Sequence, residues 1–231
     1  MLKINKLSKV LGIFFITAKY LWRARDIEAD FTILKGLWAN ELLEHFNIDL
    51  QIKGIPLDSD EPCIFVGNHI SYLDILVLTA SFPRLSFVSK QEVHRWPIIG
   101  MAAEKAQTIF VKRDSARSRG EALTKISESL IHKKQKLVIF PSGTTALKAT
   151  THWKKGAFKI AEKNGIKIQA FRIRYEPLRE SAYIDDDVFF THLWKIFEIK
   201  KIKVFLEFHD AIYIKDSQVS CSEWKKWCEE F

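Results

Sequence analysis

Apolar positions recur along this chain with two periods, and the switch between them marks its elements. Ile48-Asp49-Leu50-Gln51-Ile52-Lys53 alternates apolar with polar, as a half-buried strand does, and Gly54 begins the turn after it. Pro62-Cys63-Ile64-Phe65-Val66-Gly67 is apolar almost throughout and reads as a buried strand ending at a glycine. Further strands are expected near Leu85 to Val88, Thr108 to Val111, Leu137 to Phe140 and Lys167 to Tyr175, and Ile202, Val204, Leu206 and Phe208 alternate as another. Between these runs the spacing turns helical. Ala116 to Lys133, with Leu123, Ile126 and Leu130 inward, and Gly156 to Lys163 are helices by this criterion, and Ser217 to Phe231 reads as a terminal helix. Strands interleaved with helices predict an α/β fold, a mostly parallel sheet covered by helices, over residues 48–231. There is no internal repeat and no low-complexity linker.

Residues 1–47 follow a different pattern. Ile4, Leu7, Leu11, Phe14, Phe15, Ala18, Leu21 and Trp22 cluster on one helical face, with Lys6, Lys9, Lys19 and Arg23 mostly opposite. Ile13 and Ile16 intrude on that polar side. The longest charge-free run, Val10 to Ala18, is nine residues, against the roughly 20 a spanning helix needs. A bulky, basic Leu21-Trp22-Arg23-Ala24-Arg25 replaces the small residues of a signal-peptide cleavage site. A second helix is expected to carry Ile27, Phe31, Leu34, Trp38, Leu42 and Phe46 on one side. The pair predicts an amphipathic two-helix hairpin that lies on a membrane, monotopic or peripheral, rather than crossing it.

Composition narrows the partners. The net charge is +8 and the pI about 9.3, a balance that favours anionic partners such as lipid headgroups or phosphorylated substrates. No nucleic-acid-binding module is present, and seven Trp with seventeen Phe fit a membrane surface better. Cys63, Cys221 and Cys228 are too few and scattered for a disulfide framework, which points to a reducing, cytosol-facing compartment. No Cys-x-x-Cys or His-x-x-x-His occurs, so no metal site is expected.

Four stretches carry candidate chemistry. Asn68-His69-Ile70-Ser71-Tyr72-Leu73-Asp74 falls between the Cys63 strand and an apolar helix, where open α/β sheets place their sites. It joins an imidazole, which ordinarily titrates near 6.5, to a carboxylate that can hold its ring. Ser71-x-x-Asp74 also reads as a capping box, a role compatible with the first. Thr108 to Arg113 is a strand ending in two cations, Lys112 and Arg113, and arginine's planar fork suits a phosphate. Phe140-Pro141-Ser142-Gly143-Thr144-Thr145 is a Pro-x-Gly turn whose N–H and hydroxyl groups could receive an anion. Lys154-Lys155 precedes the helix that opens at Gly156, and its amino end would favour phosphate.

Taken in order, these stretches resemble the glycerolipid acyltransferase family. The first looks like its Asn-His-x-Ser-x-x-Asp block, the second like the block whose arginine holds the acceptor phosphate, and the third like Phe-Pro-Glu-Gly-Thr-Arg. Ser142 and Thr145 replace that block's glutamate and arginine, Gln107 replaces a glycine before the second block, and the fourth block's proline is lost around Gln169-Ala170-Phe171. The resemblance implies a glycerol-3-phosphate acyltransferase-like fold and transfer of an acyl group from acyl-CoA or acyl-carrier protein to a lysophospholipid hydroxyl, with no cofactor. It implies His69 as general base oriented by Asp74, with Asn68, Ser71, Lys112, Arg113, Ser142, Gly143 and Thr144 around the substrate. Lysophosphatidate is the default acceptor, and the altered third block suggests a changed headgroup. Two other readings remain at this stage: a lipid esterase using Ser142, though Gly-x-Ser-x-Gly is lacking, and a noncatalytic lipid-binding relative.

Overall fold

The computed structural model describes residues 2–25, 31–96, 98–112, 114–147, 152–184 and 186–231. One sheet runs through it, built from β1 (Ile48–Lys53), β2 (Cys63–Gly67), β3 (Leu85–Lys90), β4 (Ile109–Val111), β5 (Lys136–Ile139), β6 (Lys167–Glu176) and β7 (Ile202–Phe208). Across the sheet the order is β1-β7-β6-β2-β5-β3-β4. Strands β2 to β6 all point one way, because every pairing among them is parallel. β7 lies antiparallel to β6 and carries β1 parallel on its outer side. The mostly parallel α/β sheet expected from the pattern is therefore present, with two reversed strands at one margin.

Burial follows the apolar pattern. Every residue of central β2 is buried, as its continuous apolar run predicts, whereas edge strand β1 is half-buried over residues 48–50 and exposed over 51–53 instead of alternating. Helices cover both faces. On one face Phe65, Val138, Phe171 and Ile173 pack under α2 (Thr32–His45), α3 (Leu73–Ser81) and α8 (Phe189–Ile196). On the other Ile64, Val66, Leu137 and Ile168 pack under α5 (Ala116–Lys133), α6 (Gly156–Asn164) and α9 (Ser217–Glu229). Residues 178–196 hold two helices absent from the sequence expectation, α7 (Leu178–Ser181) and α8.

The amino-terminal hairpin is present as α1 (Leu2–Arg23) and α2, with Ile27 outside the described residues. The second helix contributes Leu42, Leu43 and Phe46 to the main core. The first docks by its mixed side. Ile13 and Ile16, which interrupt the polar face in sequence, pack inward together with Val10. The lysines of that face find partners on the protein: Lys6 pairs with Glu198, Lys19 with Glu41, and Lys9 sits 5.6 Å from the Phe197 ring centre. The apolar stripe of Leu7, Leu11, Phe15 and Trp22 is left outside, Phe15 at 73% exposure. No helix among the described residues is long and apolar enough to cross a membrane.

Candidate active site

The site lies where β2 stops and β6 continues. Gly67 pairs with Phe171, so residues 172–176 of the ten-residue β6 run past the end of β2. A side chain at Gly67 is excluded, because a Cβ there would lie 2.4 Å from the carbonyl oxygen of Phe171. Asn68 then replaces the missing ladder with its side chain. Its Nδ2 donates to the carbonyl of Ile173 and its Oδ1 accepts from the N–H of Ile173, both at 2.8 Å. With both amide atoms engaged and the residue buried, Asn68 anchors the loop to β6.

That anchor sets His69 against Asp74. His69 Nδ1 lies 2.7 Å from Asp74 Oδ2, and the same oxygen accepts the N–H groups of Ile70 at 2.8 Å and Ser71 at 3.2 Å. Oδ1 accepts the Tyr175 hydroxyl at 2.6 Å. The carboxylate is fully buried and surrounded by donors, which is how a charge is held in an interior. His69 keeps 19% of its side chain exposed. Phe140 stacks on the ring at 3.8 Å between centres and 13° between planes. Nε2, the nitrogen away from Asp74, makes no hydrogen bond among the described residues. An imidazole tethered at one nitrogen and open at the other is built to exchange a proton there.

The capping box forms only in part. Asp74 accepts from the N–H of Ser71, but Ser71 Oγ lies 3.4 Å from the N–H of Leu73 instead of reaching Asp74. Ser71 is fully buried beneath the loop.

The turn after β5 comes to the same place. The N–H of Ala146 donates to the carbonyl of His69 at 2.8 Å, holding the turn over the histidine loop. Gly143 has φ of 71°, and its N–H is taken by the carbonyl of Phe140 at 3.0 Å. Ser142 Oγ donates to the carbonyl of Thr144 at 2.6 Å. The Gly143 N–H is thus not available to an anion. Ser142 Oγ makes no hydrogen bond to a base among the described residues, so nothing here supports a serine nucleophile. Thr144 is exposed on the turn.

Lys112 is exposed at the end of β4, and Arg113 lies outside the described residues. β5 and β3 separate β4 from β2, so this cation stands about 14 Å across the sheet from the histidine, at about 4.8 Å per strand. The groove between α5 and α6, about 430 Å³ and lined by Leu123, Ile131, Lys159 and Lys163, contains none of these residues.

Sequence reasoning missed Phe140 as a ring support and Tyr175 as a donor. The second had a signal: Phe171, Ile173 and Tyr175 keep the strand period to the carboxyl end of β6. Also missed was the cover over the histidine loop. The N–H of Tyr183 donates to the carbonyl of Ile70, and Tyr72 OH meets His192 Nδ1 at 3.1 Å. Burial pushes the Tyr72 hydroxyl up and the His192 imidazole down from their ordinary values, so both stay neutral in this cover.

Comparison with known proteins places this geometry. A family model described as Acyltransferase matches residues 49–174. Lyso-ornithine lipid O-acyltransferase of Pseudomonas aeruginosa is 32% identical over 66% of this chain and 60% of its own length. 1-Acyl-sn-glycerol-3-phosphate acyltransferase of Neisseria meningitidis is 28% identical over 72% of this chain and 67% of its own. The chain thus aligns with about three-fifths of the first of these relatives. The crystal structure of the 1-acyl-sn-glycerophosphate acyltransferase PlsC from Thermotoga maritima superposes with a TM-score of 0.65 at 20% identity, covering 100% of this chain and 94% of that one. It shares the fold.

Proposed function

The chain belongs to the Acyltransferase family, and from that premise we propose that it transfers a fatty acyl group from a thioester to the hydroxyl of a membrane lysolipid. The donor is acyl-CoA or acyl-carrier protein. His69 Nε2 takes the proton of the acceptor alcohol as its oxygen attacks the thioester carbonyl. The tetrahedral intermediate then expels the thiolate, which receives that proton from the imidazolium, leaving an ester and a free thiol. Base catalysis of this kind contributes about 10²–10⁴-fold. Asp74 fixes the ring tautomer and stabilises the imidazolium, as the acid of a hydrolase triad does. The carrying observation is the asymmetry of the His69 ring, with Nδ1 bound to a buried carboxylate and Nε2 without a hydrogen bond among the described residues on a ring that is partly exposed.

Lysophosphatidate is the first acceptor to test, with Lys112 and Arg113 gripping its phosphate. A second acceptor, a lyso-ornithine lipid, is favoured by the relative of that name and by Ser142 and Thr145 standing where the resembled block carries an acid and a cation. The stripe of Leu7, Leu11, Phe15 and Trp22 would enter the headgroup layer at the cytoplasmic face and keep the site beside its lipids. The test is product analysis by mass spectrometry. Purified protein is given labelled acyl-CoA or acyl-carrier protein with lysophosphatidate, lyso-ornithine lipid and other lysolipids. Acylated product from one acceptor is expected; lipid binding with no ester from any acceptor would leave the noncatalytic reading standing.

A further inference from the structure

Tyr175 stands one residue beyond the segment that matches the family model, yet it touches the proposed dyad. We propose that Tyr175 is a positioning residue for His69: its phenol holds Asp74 Oδ1, and so fixes both the orientation and the charge that Asp74 presents to the imidazole. The inference rests on the reading of His69 as general base and extends it.

The argument begins with the two strands. β6 overruns β2, and the paired hydrogen bonds of Asn68 with Ile173 clamp the histidine loop to this overhang. Tyr175 follows Ile173 by one strand period, so its side chain emerges on the same face. There its hydroxyl meets Asp74 Oδ1 at 2.6 Å.

The carboxylate uses its two oxygens unequally. Oδ2 collects His69 Nδ1 and the N–H groups of Ile70 and Ser71. Oδ1 has Tyr175 as its one hydrogen-bond donor among the described residues. Removing that hydroxyl leaves an unsatisfied carboxylate oxygen in a fully buried place. Water must then reach Oδ1, and the carboxylate, still bonded to Nδ1 through Oδ2, aims the imidazole less firmly.

Charge changes as well. A donor on Oδ1 draws negative charge toward itself, and its loss concentrates charge on Oδ2, which strengthens the hold on imidazolium over neutral imidazole. Tyr175 is suited to a constant donor role. It is 1% exposed, and burial first, then the nearby negative charge of Asp74, push its phenol well above the ordinary range. It therefore keeps its proton across any working pH.

Two substitutions test this. Tyr175→Phe removes the donor and keeps the ring. It should lower kcat about tenfold while leaving KM for the acyl thioester within about twofold. The acid limb of kcat/KM against pH should move upward by about half a unit or more. Site-specific replacement of Tyr175 by 3-fluorotyrosine keeps the shape and strengthens the donor, so the limb should move the other way. A limb that stays put in both proteins overturns the proposal, even if Tyr175→Phe melts earlier. If Tyr175→Phe does not fold, the fluorinated protein decides alone. His69→Ala run in the same assays separates the two claims. Turnover surviving in His69→Ala defeats the base reading itself. An inactive His69→Ala with an unmoved limb in the Tyr175 variants defeats only the role of Tyr175.

Discussion

The histidine loop and helix α1 depart from ordinary residue placement in opposite directions. The loop buries a carboxylate completely and surrounds it with donors from His69, Ile70, Ser71 and Tyr175. The helix turns Leu7, Leu11, Phe15 and Trp22 outward while its lysines seek partners on the protein. Buried charge and exposed apolar surface each cost stability unless something offsets them. In the loop the offset is internal, a full set of hydrogen bonds. On the helix no described part of the protein supplies it, which is the physical reason for assigning that face to lipid. One region is thus complete by itself, and the other leaves an apolar face that no described residue covers.

Substitutions can pull the two apart. Asp74→Asn should have the largest effect, lowering turnover by about 10²-fold or more, because an amide in that position favours the wrong imidazole tautomer. Binding to vesicles should be untouched, as cosedimentation would show. Replacing Leu11, Phe15 and Trp22 together by Ser should do the reverse. Vesicle binding should fall at least about tenfold, since each buried side chain contributes about 1.5–3 kcal/mol, while turnover of detergent-dispersed substrate stays near normal. If that triple variant still binds vesicles, the contrast between the two regions breaks. Arg113→Ala comes next. For a phosphate-bearing acceptor its KM should rise about tenfold with kcat little changed, the pattern of lost uniform binding. No change in KM would favour an acceptor without phosphate.

The smallest effect concerns the cover over the loop. Burial holds His192 below the ordinary histidine value. The unfolded chain therefore binds its proton more readily than the folded one. The stability from keeping it neutral is fully present above about 6.5 and is lost as pH falls through the lower folded value. His192→Asn should flatten part of the fall in melting temperature between neutral and acid pH, and an unchanged slope would count against it.

Much of this was legible from residue order because the strands announce themselves. Central β2 is apolar almost throughout and is buried throughout, whereas edge β1 alternates in sequence but is half-buried over its first three residues and exposed over its last three. The dyad was legible too, since His69 and Asp74 sit in one strand-to-helix turn. Other features depend on distant pairings. The clamp of Asn68 on Ile173 and the burial of Ser71 show only once β6 is seen to overrun β2. Ile13 and Ile16 read as flaws in a polar side, and only the fold shows them to be contacts of α1 with the core. Residues 178–196 gave no signal, as α7 is four residues and α8 eight.

The most direct measurement is the rate of ester formation by His69→Ala against the unaltered protein, with the same acyl thioester and lysolipid. Loss of about 10²-fold or more, with an unchanged melting temperature, is the predicted result. Near-normal ester formation in the folded variant would contradict the assignment of the proton to this imidazole.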